Sequence, residues 1–294
     1  MDDFKPIELT DKKVFTDFFA ADPPLISELT FTNLFIWRRR YEPLWRVRKD
    51  CLLIILQPAD EKSFGLPPVG TGNKGEALSY LLLQLEKVSQ EPRICRVPKD
   101  FVEKHVESKL YKIVRDRDNS DYVYLAENLI NLPGNKYHRK KNHVNRFSKN
   151  HEFEYQTLDE NLAESFLGLQ ENWCELKECV EDPALLQEDR AIYEALSNFK
   201  ELGFRGGAIS IESKVEAFAL GEPLNGDTAV IHVEKANPEI PGLYAAINQL
   251  FCAREWSEMK YINREQDLGL DNLRKAKKSY YPDHLVEKYT LIPK

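Results

Sequence analysis

Apolar residues recur at helical spacing in DKKVFTDFFAADP (residues 11–23), and Pro23 and Pro24 end the run. LISELTFTNLFIWRRRY (25–41) predicts a second helix that ends on Arg38, Arg39 and Arg40. LWRVRKDCLLIILQP alternates and then becomes wholly apolar, the pattern of a hairpin entering a buried sheet. GTGNKG (70–75) is a glycine-rich loop before an amphipathic helix; it suits a phosphate cradle or a plain surface loop and lacks P-loop spacing. RICRVPKDFVEKHV predicts a strand and a helix, and YKIVRDRDNSDYVYLAENL two strands about a charged turn. These elements make a first domain over 1–128, punctuated by Pro133 and Gly134.

The remaining residues, 129–294, predict a second mixed domain. A basic helix over 135–149 leads to a strand, HEFEYQTL, and to a helix from Asp159, its N-cap, to about Cys179. LQEDRAIYEALSNFKEL (186–202) is another helix, stopped by Gly203. Three antiparallel strands follow, broken at residues 212–214 and 225–227. IPGLYAAINQLFCAREW is a helix with Leu243, Ile247, Leu250 and Phe251 on one face. A strand (KYINREQ), a short helix (LDNLRKAKKSY) and a closing strand (LVEKYTLIP) complete the chain. The fold class expected is mixed α/β (α+β), with largely antiparallel sheets flanked by helices.

Composition changes this picture little: 294 residues, 42% hydrophobic and 30% charged, describe a globular protein with filled cores. The longest apolar runs are too short to span a bilayer, the first residues lack signal-peptide order, and the five cysteines are odd in number and scattered. A cytoplasmic protein with reduced thiols is expected, and no residue spacing suits a metal. Charge changes it more. The formal net charge is −7, yet residues 1–150 carry 26 Lys/Arg against 21 Asp/Glu, and residues 151–294 carry 15 against 27.

The basic excess peaks in NKYHRKKNHVNRFSK (135–149), with six Lys or Arg and two His. On a helix, Tyr137, Val144 and Phe147 share one side, and Arg139, Asn142, His143 and Arg146 another. Such an array fits phosphate recognition, and it equally fits a solvated face paired with the acidic half.

Two strings, LPGNKYHRKKNHVNRF (132–147) and YINREQDLGLDNLRKAKKSYYPDHLVEKY (261–289), resemble the soluble family related to the C-terminal domain of phosphatidylglycerol lysyltransferases. That family is similar to the Fem aminoacyltransferases. The resemblance covers nearly the whole chain. It implies tandem GNAT-like acyltransferase units and transfer of an activated acyl group to an amine or hydroxyl, with aminoacyl-tRNA as donor. No tightly bound cofactor is expected; aminoacyl-tRNA or acyl-CoA serves as co-substrate. The acceptor is a small molecule, a peptide or a lipid headgroup. A CoA-dependent N-acetyltransferase and a non-catalytic RNA-binding protein are the alternatives.

On this reading the donor's phosphates fall to Lys136, Arg139, Lys140, His143 and Arg146. Glu265 and Asp267 lie just past a strand and can bind an ammonium or take its proton; an ion pair with Arg264 explains them equally. His232, late in a strand, is a third proton-handling candidate beside the reading of a satisfied core histidine. Gly242 precedes the helix that receives a pyrophosphate in acyl-CoA-using GNAT enzymes, although their Arg/Gln-x-x-Gly-x-Gly/Ala loop is absent. Arg264, Lys275 and Tyr280 complete the substrate-binding candidates, cations beside aromatics that stack on a base or simply snorkel.

Overall fold

A computed structural model describes residues 3–159, 166 and 183–294. Their contacts form two compact units. The first holds residues 1–122, 265–274 and 285–294, and the second 123–264 and 275–284. A single cut near residue 128 is therefore not how the contacts divide, because two C-terminal segments return to the first unit. Each unit is a mixed, largely antiparallel sheet flanked by helices, as expected. No described helix is long and apolar enough to cross a membrane.

In the first unit the strand order is β1 (Lys5–Pro6), β2 (Leu44–Arg48), β3 (Cys51–Leu56), β4 (Phe64–Gly65), β6 (Ile94–Pro98), β13 (His284–Pro293), and then β7 (Tyr111–Leu125). β5 (Val69–Gly70) pairs with β3. The expected hairpin is β2–β3, turning on Lys49 and Asp50, both at positive φ. All six β3 residues are buried, as their unbroken apolar run requires. Helix α4 (Lys74–Leu85) covers the sheet with Leu78, Leu81 and Leu85, each wholly buried. Each such leucine is worth about 1.5–3 kcal/mol of transfer free energy.

The GTGNKG loop serves this packing. Asn73 caps α4 by accepting from the Glu76 N–H at 3.0 Å, while Lys74 is buried and donates to Asp22 and to the Pro68 carbonyl. A Cβ on Gly72 would lie 2.0 Å from the Lys49 carbonyl oxygen, so this glycine is required by close approach of two backbone segments.

Two expected elements differ. Residues 25–30 are not helical; α1 (Lys12–Ala21) is followed by α2 (Phe31–Ile36), capped by Thr30, and by α3 (Arg38–Tyr41). Ser27 instead binds Asp121 through its N–H (2.8 Å) and hydroxyl (3.0 Å). The charged turn between two strands is instead the middle of the 15-residue strand β7. Asp116 accepts from the Asn119 N–H and side chain, and the Ser120 hydroxyl donates to the Asp116 carbonyl. Turn-like residues thus satisfy one another inside the strand.

A charged cluster sits in this core. Lys288, fully buried, donates to Glu28 and Asp121 at 2.6 Å each, and Arg96 donates to Glu28 at 2.8 Å. Two cations thus meet two carboxylates, which is the condition for keeping charge away from water.

The second unit orders the end of β7 (residues 123–125), β12 (Tyr261–Asn263), β11 (Thr228–Ala236), β10 (Lys214–Pro223), β9 (Arg205–Ile211) and β8 (Glu154–Thr157). β9, β10 and β11 are the antiparallel run expected, with Glu212 and Ser213 at positive φ in the first turn. After α5 (Lys99–His105) of the first unit, the helices here are α6 (Ala126–Asn131), α7 (His138–Asn150), α8 (Pro183–Ser197), α9 (Phe199–Leu202) and α10 (Leu243–Glu255). Of the helix expected from Asp159 to Cys179, only Asp159 and Phe166 are among the described residues, and both of its cysteines lie outside them. On α10, Leu243, Ile247 and Phe251 are wholly buried and Leu250 is half-buried.

Candidate functional site

β11 and β12 are parallel neighbours, but their pairing covers only Thr228–Val230 against Tyr261–Asn263. β11 continues to Ala236 without that neighbour, so the sheet opens beyond Val230. The segment from β11 back to β12 runs through α10, as parallel pairing demands. Glu234 of β11 stands in the opening, and Arg264 directly follows β12.

Arg264 donates through Nη2 to Glu234 Oε1 at 2.9 Å, and Asn248 of α10 donates through Nδ2 to Glu234 Oε2 at 2.9 Å. The guanidinium lies 4.9 Å from the ring centre of Tyr280 and 5.8 Å from that of Tyr124. Burial is the largest influence and works against its charge, but Glu234, joined by Tyr124, Tyr280 and Cys252, raises the Arg264 pKa above the ordinary value. Arg264 Nη1 and Asn248 Oδ1 are buried and have no hydrogen-bond partner among the described residues. One turn further along α10, burial pushes the Cys252 thiol up to about 12, so it is no nucleophile at neutral pH.

Lys140, half-buried on α7, holds its ammonium 3.9 Å from the centre of the Tyr280 ring. Burial first, and then the charge of Arg264, lower its pKa to about 8. α7 is anchored by Phe147 and by Tyr137 just before it, both wholly buried, and the Tyr137 hydroxyl donates to the Tyr280 carbonyl at 3.0 Å. Arg139, Asn142, His143 and Arg146 are all exposed, on the opposite side as expected, with Lys136 exposed at the turn before the helix. Among the described residues, none of Lys136, Arg139, Lys140, Lys141, Arg146 and Lys149 lies within ion-pair distance of a carboxylate. The reading of a face paired with the acidic half has no ion pair among the described residues to support it. His143 is held below the usual histidine range by burial and by Arg139, Lys140 and Arg146, and stays neutral near pH 7.

The other sequence candidates divide between the units. Gly242 has φ +94°, and a Cβ there would lie 2.4 Å from the His143 carbonyl oxygen. This glycine lets α10 meet α7 backbone to backbone. His232 is buried between strands and pairs with Glu222 at 2.9 Å. Lys275 is exposed on α11 (Asp271–Lys278). Glu265 and Asp267 belong to the first unit. Glu265, half-buried, accepts from Asn33 at 3.2 Å. Asp267 is fully buried and accepts from Arg274 (2.8 and 2.9 Å), Tyr122 (2.6 Å), Arg117 (3.2 Å) and the Gly269 N–H (3.0 Å). Burial opposes the charge, but these donors hold the carboxyl well below the usual range. Asp267 therefore fixes the turn after β12 and is unsuited to taking a substrate proton.

Residues 23–292 match the family described as phosphatidylglycerol lysyltransferase, C-terminal. The chain belongs to this family. Within the family's fold, a conserved protein of unknown function from Bacteroides thetaiotaomicron is similar at TM-score 0.91 and 34% identity, over 99% of each chain. L-PGS from Bacillus licheniformis is similar at TM-score 0.67 and 11% identity, over 96% of this chain and 92% of that one, a likeness of fold. An uncharacterized protein of Mycoplasmoides gallisepticum is 23% identical over 190 residues, which span 63% of this chain and 59% of that protein. The match thus covers less than two thirds of this relative.

Family membership joins the chain to transferases. The residues that sequence reasoning missed are Glu234 and Asn248. Each had a signal: a carboxylate inside a largely buried strand, and an amide inside the buried face of α10.

Proposed function

We propose that this protein is an aminoacyltransferase, moving an aminoacyl group from an aminoacyl-tRNA to an amine or hydroxyl acceptor. The observation that carries the reading is α7: a row of exposed cations that have no carboxylate partner among the described residues, leading through Lys140 to the Arg264 cluster. An unpaired cationic row is what a phosphate backbone neutralises, with release of its counterions. An aminoacyl ester is already activated, so transfer needs two positioned substrates and a route for one proton. The attacking nitrogen or oxygen bonds to the acyl carbon, the ester C–O bond breaks, and the departing hydroxyl takes the proton.

The close contact of Gly242 with α7 disfavours the CoA reading, because the end of α10 that would receive a pyrophosphate is packed against the His143 carbonyl. The test is thermal stability with acetyl-CoA, deacylated tRNA and charged tRNA, at low and moderate salt, followed by transfer of a labelled amino acid. Charged tRNA should stabilise most. Stabilisation by acetyl-CoA alone overturns the reading. Equal stabilisation by both tRNAs, with no transfer to any acceptor, reduces the protein to an RNA binder.

A further inference from the structure

The Arg264 cluster carries more detail than the transferase reading uses. Glu234 spends one oxygen on Arg264 and the other on Asn248. Both partners are thereby clamped, and among the described residues each has one polar group left over: the donor Nη1 of Arg264 and the acceptor Oδ1 of Asn248. Asn248 is completely buried. An unsatisfied buried group costs on the order of 1–3 kcal/mol, so two of them flanking one carboxylate call for a ligand that offers an acceptor and a donor on neighbouring atoms.

Charge narrows the class. Arg264 and Glu234 compensate each other, whereas Lys140 beside them has no carboxylate within ion-pair distance among the described residues. The missing partner is an anion, which a neutral ester or amide carbonyl does not supply. A carboxylate with a nitrogen one carbon away meets every requirement: carboxylate oxygens on Arg264 Nη1 and Lys140, and the N–H on Asn248 Oδ1.

We propose that Lys140, Arg264 and Asn248 form a subsite for the head group of a free α-amino acid, which serves as the acceptor. The word acceptor rests on the transferase reading; the binding itself does not. With the amine unprotonated, the carboxylate and Glu234 balance Lys140 and Arg264. The site therefore favours the form of the amine whose lone pair can attack an acyl carbon. In the transfer, the nitrogen–carbon bond forms, the donor's ester C–O bond breaks, and the nitrogen's proton leaves with the donor hydroxyl.

The test is calorimetry on the full chain without any donor, using L-alanine, L-leucine, L-alaninamide and propionate. One of the two amino acids should bind, with the amide and the propionate each at least about tenfold weaker, because each lacks one of the two recognised groups. Lys140→Met, at a half-buried position, should weaken amino-acid binding about tenfold and leave the amide unchanged. Asn248→Ala should weaken amino-acid binding and leave propionate unchanged. Arg264→Ala strips Glu234 of its partner and endangers the fold, so Lys140→Met is the deciding variant. If the amide binds as tightly as the acid, the site reads an acyl carbonyl and the proposal fails. It fails also if no amino acid binds at about 10 mM. Failure here leaves the response to charged tRNA intact, and failure of the tRNA response leaves amino-acid binding intact, so the two readings fall separately.

Discussion

Neutralising two guanidinium groups of α7, with Arg139→Ala and Arg146→Ala together, changes how RNA binding depends on salt. Five exposed Lys or Arg line this segment: Lys136, Arg139, Lys141, Arg146 and Lys149. If each meets one phosphate, the slope of log affinity against log salt is about −3.5 to −4.5, at roughly 0.7–0.9 per contact. Going from about 50 to about 200 mM salt then weakens the native protein about 100- to 500-fold. The double variant keeps three contacts, with a slope of about −2.1 to −2.7, and loses only about 20- to 40-fold over the same range. Fluorescence anisotropy with labelled tRNA at four or more salt concentrations measures both slopes. Both side chains are exposed and have no ion-pair partner among the described residues, and α7 is anchored by Phe147 on its other side, so stability should change by less than about 0.5 kcal/mol. Equal slopes for the two proteins would show that α7 does not carry the phosphate contacts, and the donor role assigned to it would have to be abandoned.

Three further outcomes are expected. Lys288→Met leaves Glu28 and Asp121 buried without their shared cation and should cost about 3–5 kcal/mol at pH 7, a fall of roughly 2–4 °C per kcal/mol in Tm. Although burial pushes Glu28 up, Lys288 and Arg96 hold it below its ordinary value. Removing Lys288 raises its folded pKa, so the deficit should be largest at neutral pH and shrink as pH falls through the carboxylate range; a deficit independent of pH refutes the account. Gly242→Ala, forced to a positive φ and against the His143 carbonyl, should lose about 1–3 kcal/mol by denaturant titration, and an unchanged midpoint would contradict the α7–α10 packing. Lys140, with its pKa lowered to about 8, should reach half-maximal acylation by an amine-reactive ester near pH 8, well before exposed lysines. Its folded pKa lies below the unfolded one, so native stability relative to Lys140→Met should rise with pH between about 8 and 10.4; a flat difference counts against the shift.

Local pattern made much of the fold legible. The β2–β3 hairpin, the β9–β11 run and the buried face of α10 follow from period and turn residues, and the two sides of α7 follow from helical spacing alone. Elements failed where a side chain found a distant partner. Residues 25–30 gave up a helix because Ser27 reaches Asp121, and β7 runs through a turn-like stretch because Asp116, Asn119 and Ser120 satisfy one another.

The site was less legible for the same reason. Charge pattern and resemblance singled out α7, Arg264 and Tyr280, but Asp267 and Gly242, chosen by position, are occupied by structural contacts. Glu234 and Asn248 are separated from Lys140 by about a hundred positions in the chain, and no local rule joins them. The amino-acid sequence by itself determined which segments bury an apolar face and where charge accumulates, since both depend on neighbours a few residues away. Only the tertiary structure decided which polar groups are already paired and which are left over. That depends on contacts between segments far apart in sequence, and the cost of leaving a buried polar group unpaired is what makes the leftover groups informative.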